Sequence, residues 1–114
     1  MDSFSISPDA VTVPSGCRLV GRVRVPASKS LTHRVLALAL LARRPLVIEG
    51  ALDADDTRRT LAAVRAAGIA VEASGSRLKM LPGPMPDGPV EVDCGEAGTA
   101  LRLLTGLLAT QAGE

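Results

Sequence analysis

The sequence predicts an α/β chain whose elements run strand, helix, strand, helix, strand, strand, and then strand and helix again. Three observations carry that prediction. Apolar and basic residues alternate from Arg22 to Val25, the period of a half-buried strand. Apolar stripes at helical spacing occur three times, with Ser28 placed to cap the first and Gly68 to stop the second. Ser74-Gly-Ser76 separates two short segments in the manner of a hairpin turn.

Taken in order, residues 18–25 read as the first strand, ended by Pro26. Ser28 caps a helix expected from about Ser30 to Ala42, and Pro45 lies just beyond its end. That helix is apolar on most faces, which implies burial between other elements. Leu46-Val-Ile48 reads as a short buried strand. Asp53-Ala-Asp-Asp56 opens a second helix with Leu61, Val64 and Ala67 on one stripe and Gly68 as its stop. Residues 69–73 and 77–81 form the hairpin, and 81–89 is a loop dense in Pro and Gly. Residues 90–93 read as a further strand. Cys94-Gly-Glu-Ala-Gly98 then leads into a third helix, about Thr99 to Thr110, with Leu101, Leu104, Leu107 and Leu108 as its stripe. At an offset of 68, Arg34, Leu36 and Leu40 fall on Arg102, Leu104 and Leu108, a faint echo of a repeated βαβαββ unit. The chain stops directly after a helix that would begin a second copy, so it reads as a fragment.

Composition removes whole classes of function. With 114 residues, 46% of them apolar, the chain can build one core. Phe4 is its single aromatic residue, which excludes a platform for stacking bases. A formal charge of +1 predicts no bulk attraction to nucleic acid or anionic membrane. His33, Cys17 and Cys94 cannot supply four zinc ligands, and two cysteines make no disulfide framework. The thiols read as reduced, which fits a cytoplasmic protein. A membrane span needs about 20 apolar residues; the longest run here is residues 35–42, between Arg34 and Arg43. The first ten residues carry no basic region and do not read as a signal peptide.

The small net charge conceals an asymmetry. Residues 1–44 carry +5 and residues 45–114 carry −4. Helix N-termini present free N–H groups and a partial positive charge. The second helix places Asp53, Asp55 and Asp56 there, as a helix stabilising itself does. The first helix does the reverse, with Lys29 and Ser30 at its start and Arg34 one turn on. A cation at that end costs about 0.3–1 kcal/mol, which is offset if an external anion meets dipole, N–H groups and cations together. The third helix repeats the idea with Gly95, Gly98, Thr99 and Arg102, the glycines allowing close approach to the backbone. Two such starts point to anion binding. Neither the Walker nor the dinucleotide glycine pattern is present, although Ser28-Lys-Ser30 resembles the Walker tail. His33 reads as a partly buried or capping histidine and Cys94 as a strand-end packing residue. Arg58 and Arg59 read as a solvated helix face, and Arg22, Arg24, Arg43 and Arg44 as solvated side chains.

Three stretches are more specific. Val25-Pro-Ala-Ser-Lys-Ser-Leu-Thr-His-Arg34 resembles the first substrate motif of the 3-phosphoshikimate 1-carboxyvinyltransferase family, also called 5-enolpyruvylshikimate-3-phosphate synthases. Leu52-Asp-Ala-Asp-Asp-Thr57, with Leu61 and Gly68 after it, resembles that family's second helix. Gly95-Glu-Ala-Gly-Thr-Ala-Leu-Arg102 resembles its Gly-rich phosphoenolpyruvate motif. The resemblance spans about residues 14 to 114, in the family's order and spacing. The related UDP-N-acetylglucosamine enolpyruvyl transferases usually carry Lys-Asn where this chain has Lys29-Ser30, so the phosphoshikimate family fits better.

The resemblance implies transfer of the enolpyruvyl group of phosphoenolpyruvate to the 5-hydroxyl of shikimate 3-phosphate, with release of phosphate. It implies no metal or organic cofactor, no nucleic-acid or membrane partner, and a monomeric complete enzyme. The implied fold is an inside-out α/β barrel of repeated βαβαββ units in two domains, with the site in the cleft between them. Residues 1–26 would be a tail and first strand, 27–89 the first unit, and 90–114 the start of the second. Carried over by position, Lys29 is the catalytic residue and binds both substrates. Ser30 and Arg34 bind shikimate 3-phosphate; Gly98 and Thr99 bind phosphoenolpyruvate, with Arg102 supporting their loop. Glu96 departs from the family's usual Asn and would repel phosphoenolpyruvate unless protonated, turned away or paired. Leu103 stands where many members have Pro, so the helix start is expected to be less kinked. The remaining acid, base and basic groups would lie in units this chain lacks, so the chain alone is expected not to turn over. The competing reading is a non-catalytic anion-binding or assembly module built on the same two helix starts.

Overall fold

A computed structural model describes residues 4–111. Two short strands, β1 (Ser5–Ile6) and β2 (Val11–Thr12), pair antiparallel with Ile6 opposite Val11. Ser7 closes their turn, its N–H donating to the Ala10 carbonyl at 2.8 Å and its Oγ accepting from the Ala10 N–H at 3.1 Å.

Helix α1 (Lys29–Ala42) begins where Ser28 Oγ accepts the Leu31 N–H at 3.2 Å. This is the cap expected from sequence, and the helix starts one residue earlier than the periodicity placed it. It ends at Arg43, which takes a left-handed conformation with φ 48°. Strand β3 (Leu46–Ile48) follows, then α2 (Asp55–Ala66), β4 (Ala70–Ser74), β5 (Arg77–Leu81) and α3 (Gly98–Gln111). The second sheet is antiparallel throughout, in the order β3-β5-β4, with Met80 opposite both Leu46 and Val71.

Helix α2 starts without a side-chain cap from the acidic cluster. Thr57 Oγ1 turns back instead, accepting the Ala54 N–H at 2.9 Å and donating to the Leu52 carbonyl at 2.7 Å. At its far end Gly68 has φ +97°, and a Cβ there would lie 2.3 Å from the Pro84 carbonyl oxygen. Only glycine satisfies both the left-handed turn and the chain that crosses it.

One core joins the three helices to the inner face of β5. Leu36, Ala39 and Leu40 of α1 meet Ala63 and Val64 of α2, Ala67 and Ile69 beyond it, Leu78 and Met80 of β5, and Ala100 and Leu104 of α3. Alternation works as expected on β5, where Leu78 and Met80 point in while Arg77 and Lys79 face solvent. Among the described residues no buried side-chain nitrogen or oxygen lacks a hydrogen-bond partner.

Several expectations need correction. Residues 18–25 form no strand, and Leu19, Val20, Val23 and Val25 are 75–87% exposed. Alternation specifies which face a strand would bury, but a ladder needs a partner, and none of the described residues supplies one. The molecule is elongated, 69 Å against 25 and 18 Å on the other axes. Residues 90–93 are likewise outside any ladder; Val92 packs against the core while Asp93 folds into the next turn. Helix α1 is not enclosed, since Leu31, Leu38 and Leu41 are exposed. Leu101 is exposed as well, because the inward stripe of α3 is centred on Ala100 and Leu104. In β3 only Leu46 and Ile48 lean on the core; Val47, at a sheet edge, points outward.

Candidate functional site

All buried polar side chains of the described residues belong to α1 or α2: Thr32, His33, Thr57 and Thr60. They form the seam that aligns the two helices. His33 Nδ1 lies 2.7 Å from Thr60 Oγ1, and Lys29 Nζ lies 2.9 Å from Asp56 Oδ2. Each pair spans 27 residues, so the helices run parallel with their N-termini together. Thr32 Oγ1 adds a third tie, donating to the Ser28 carbonyl at 2.8 Å and accepting the Leu52 N–H at 3.2 Å. The start of α1 is thereby fixed against the loop that opens α2.

Helix α3 is parallel too. At the C-terminal ends Gln111 donates through Nε2 to the Leu40 carbonyl at 2.7 Å and accepts from Arg43 at 3.1 Å. One turn after another, Arg34, Ala37 and Leu41 face Leu103 and Leu107 across a groove of about 340 Å³. At the other end, the turn before α3 meets the first half of α2 through Arg59, whose Nη1 lies 3.0 Å from Asp93 Oδ2. Three helix N-termini therefore gather at one end of the molecule. Helices α1 and α3 carry no acid in their first turns, whereas α2 carries Asp55 and Asp56.

Each residue singled out by sequence can be located within this frame. Lys29 opens α1 with its side chain 57% exposed, its ammonium held by Asp56. That contact, foremost its hydrogen bond, lowers the Asp56 pKa from the ordinary 3.8. Ser30 is exposed in the same turn. Arg34 is exposed one turn on, at the mouth of the groove between α1 and α3. Gly98 opens α3, and the Arg102 Nη1 lies 3.3 Å from where a Cβ on Gly98 would stand, so the guanidinium folds back over the helix start. Thr99 is exposed beside it. Lys29, Ser30 and Arg34 thus share one helix start and Gly98, Thr99 and Arg102 another, with α2 touching both. Glu96 is exposed in the turn between Cys94 and Gly98 and forms no ion pair among the described residues.

The residues that sequence reasoning underrated are Arg59, Asp93 and the buried threonines. Arg59 was expected to be solvated, yet it is 35% exposed and reaches Asp55 and Asp93. His33 is buried, and burial pushes its pKa below the ordinary 6.5; Asp56 opposes that shift and Lys29 adds to it. Cys94 packs in the core as expected. No group of three or more His, Cys, Asp or Glu among the described residues is arranged to hold a metal, and no helix among them is long and apolar enough to cross a membrane.

Comparison with known proteins places the whole chain among relatives. Residues 13–114 match the family model described as EPSP synthase (3-phosphoshikimate 1-carboxyvinyltransferase). The chain is 43% identical over 105 residues to a 3-phosphoshikimate 1-carboxyvinyltransferase of Thiobacillus denitrificans, covering 90% of this chain and 24% of that protein. It is 44% identical over 92 residues to one from an Anaeromyxobacter species, covering 80% and 21%. A third, from Syntrophotalea carbinolica, is 40% identical over 110 residues, covering 93% and 25%. The chain therefore spans about a quarter of the length of the curated relatives it matches.

Proposed function

Because this chain belongs to the EPSP synthase (3-phosphoshikimate 1-carboxyvinyltransferase) family, we propose that it supplies the anion-binding first part of an enzyme that moves the enolpyruvyl group of phosphoenolpyruvate onto the 5-hydroxyl of shikimate 3-phosphate, releasing phosphate. The observation that carries the reading is the pairing of two parallel helix starts whose first turns are free of acid and which bring together cations, hydroxyls and glycine. In this reading Lys29 is the catalytic residue and touches anionic oxygens of both substrates. Ser30 and Arg34 hold shikimate 3-phosphate, while Gly98 and Thr99 present backbone and hydroxyl to phosphoenolpyruvate. Lys29 keeps its pair with Asp56 and offers its remaining N–H donors to substrate, so its positive charge is held in place to stabilise the reaction. No metal or organic cofactor enters the scheme.

The same proposal assigns residues 1–26 to a tail and a first strand that gains its ladder partner only in the complete enzyme, 27–89 to the first βαβαββ unit and 90–114 to the start of a second, within an inside-out α/β barrel. The complete enzyme is read as monomeric and cytoplasmic. Lys29→Met in the complete enzyme tests the central assignment. Calorimetry is expected to show binding of shikimate 3-phosphate and of phosphoenolpyruvate both lost; unchanged affinity for either removes Lys29 from its role.

A further inference from the structure

We propose that Arg59 is a positioning residue for the phosphoenolpyruvate turn, holding Asp93 so that its carboxylate fastens the turn while its charge is withdrawn from the incoming anion. The inference rests on the enolpyruvyl-transfer reading above. It starts from how Asp93 divides its two oxygens. Oδ1 accepts the Gly95 N–H at 2.8 Å, and Oδ2 meets Arg59 Nη1 at 3.0 Å. Arg59 is braced from its own helix by Asp55 at 3.5 Å. It also lies on the turn itself, since a Cβ on Gly95 would sit 2.4 Å from Arg59 Nε and 2.6 Å from its Cζ. Gly95 has φ +52°, and the Ala97 N–H closes the turn on the Cys94 carbonyl at 2.9 Å. The guanidinium therefore packs where any other residue at position 95 would place a side chain.

Two physical consequences follow for an anion at the start of α3. A site made of backbone N–H groups is only as accurate as the turn that carries them, so a loosened turn weakens the hold on the anion it binds. Asp93 and Asp55 are also carboxylates beside a site for a negatively charged ligand. Unpaired, they would repel it; paired with Arg59, they do not.

The test uses the complete enzyme with Arg59→Ala, Arg59→Lys and the double variant Arg59→Ala/Asp93→Asn. Arg59→Ala is expected to raise KM for phosphoenolpyruvate about tenfold or more, with kcat and KM for shikimate 3-phosphate within about twofold of wild type. Arg59→Lys, which keeps the charge and loses the fork, falls between them and gives the same split if the alanine variant does not fold. Asn at position 93 retains an oxygen for the Gly95 N–H and removes the charge, so the double variant recovers about threefold of the lost affinity relative to Arg59→Ala. A phosphoenolpyruvate KM that stays within about twofold of wild type in the single variants overturns the inference, as does an equal rise for both substrates or a double variant no better than Arg59→Ala. Wild-type enzyme without turnover of the substrate pair would instead overturn the enolpyruvyl-transfer reading, and the inference with it.

Discussion

Buried between two helices, the imidazole of His33 has a hydroxyl on one side and two charges close by. Thr60 meets its Nδ1, Asp56 attracts its protonated form, and Lys29 repels it. Burial is the largest influence and depresses its pKa below 6.5. The sign follows from linkage. In the unfolded chain His33 titrates at its ordinary value; in the fold it takes up a proton only at lower pH. The contribution of neutral His33 is fully present above pH 6.5 and is lost as pH falls through the folded value. Thermal unfolding of this chain should show a midpoint that drops as pH falls below 6.5, and His33→Asn should flatten that slope. Asp53, Asp56 and Asp93 act in a separate window. Their pKa values are lowered from 3.8, chiefly by hydrogen bonds from Arg58, Lys29 and the Gly95 N–H respectively, so their contributions are lost only at more acidic pH. Sequence placed His33 on a helix and marked it as partly buried. It could not name Thr60, 27 residues away, because that pairing exists only once α1 and α2 align.

Elements differ in how far their own residues specify them. Helices α1, α2 and α3 were legible because caps, stops and apolar stripes are local signals, and each helix closes its backbone hydrogen bonds within itself. The β4–β5 hairpin was legible for a similar reason, its two strands joined by Gly75-Ser76. Residues 18–25 carry a strand's alternation without a strand's partner, and a lone strand cannot close its hydrogen bonds. The contrast can be measured in this chain. Leu36→Ala, at 1% exposure, should cost about 2–5 kcal/mol in a denaturant titration. Val23→Asp, at 87% exposure, should change stability by no more than about 0.5 kcal/mol. A loss at Val23 as large as that at Leu36 would mean that the 18–25 segment packs on the core.

On the scale of the molecule, α1 and α3 are equal in length and run parallel, flanking an α2 that touches both starts. All three N-terminal dipoles point to one end, where only α2 neutralises its own with acid. That end is open, and the chain covers about a quarter of its curated relatives. Under the proposed function, electrostatic clamping of two polyanions needs charge from more than one side, so the 114-residue chain alone should not turn over. Phosphate release from phosphoenolpyruvate and shikimate 3-phosphate measures this directly; turnover above about one per second, ordinary for enzymes, would overturn that expectation.

From sequence alone came the α/β class, the three helices, the hairpin, the family and the two cation-bearing helix starts, since propensity, capping and motif spacing all act over a few residues. Tertiary structure decided which apolar faces found a partner, that the helices run parallel, and that Asp56 holds Lys29 while Arg59 and Asp93 clamp the Gly95 turn. Those contacts join residues 27 and 34 positions apart. Ion pairs at that distance leave no local pattern in a sequence. They form only after the core has brought the helix starts together.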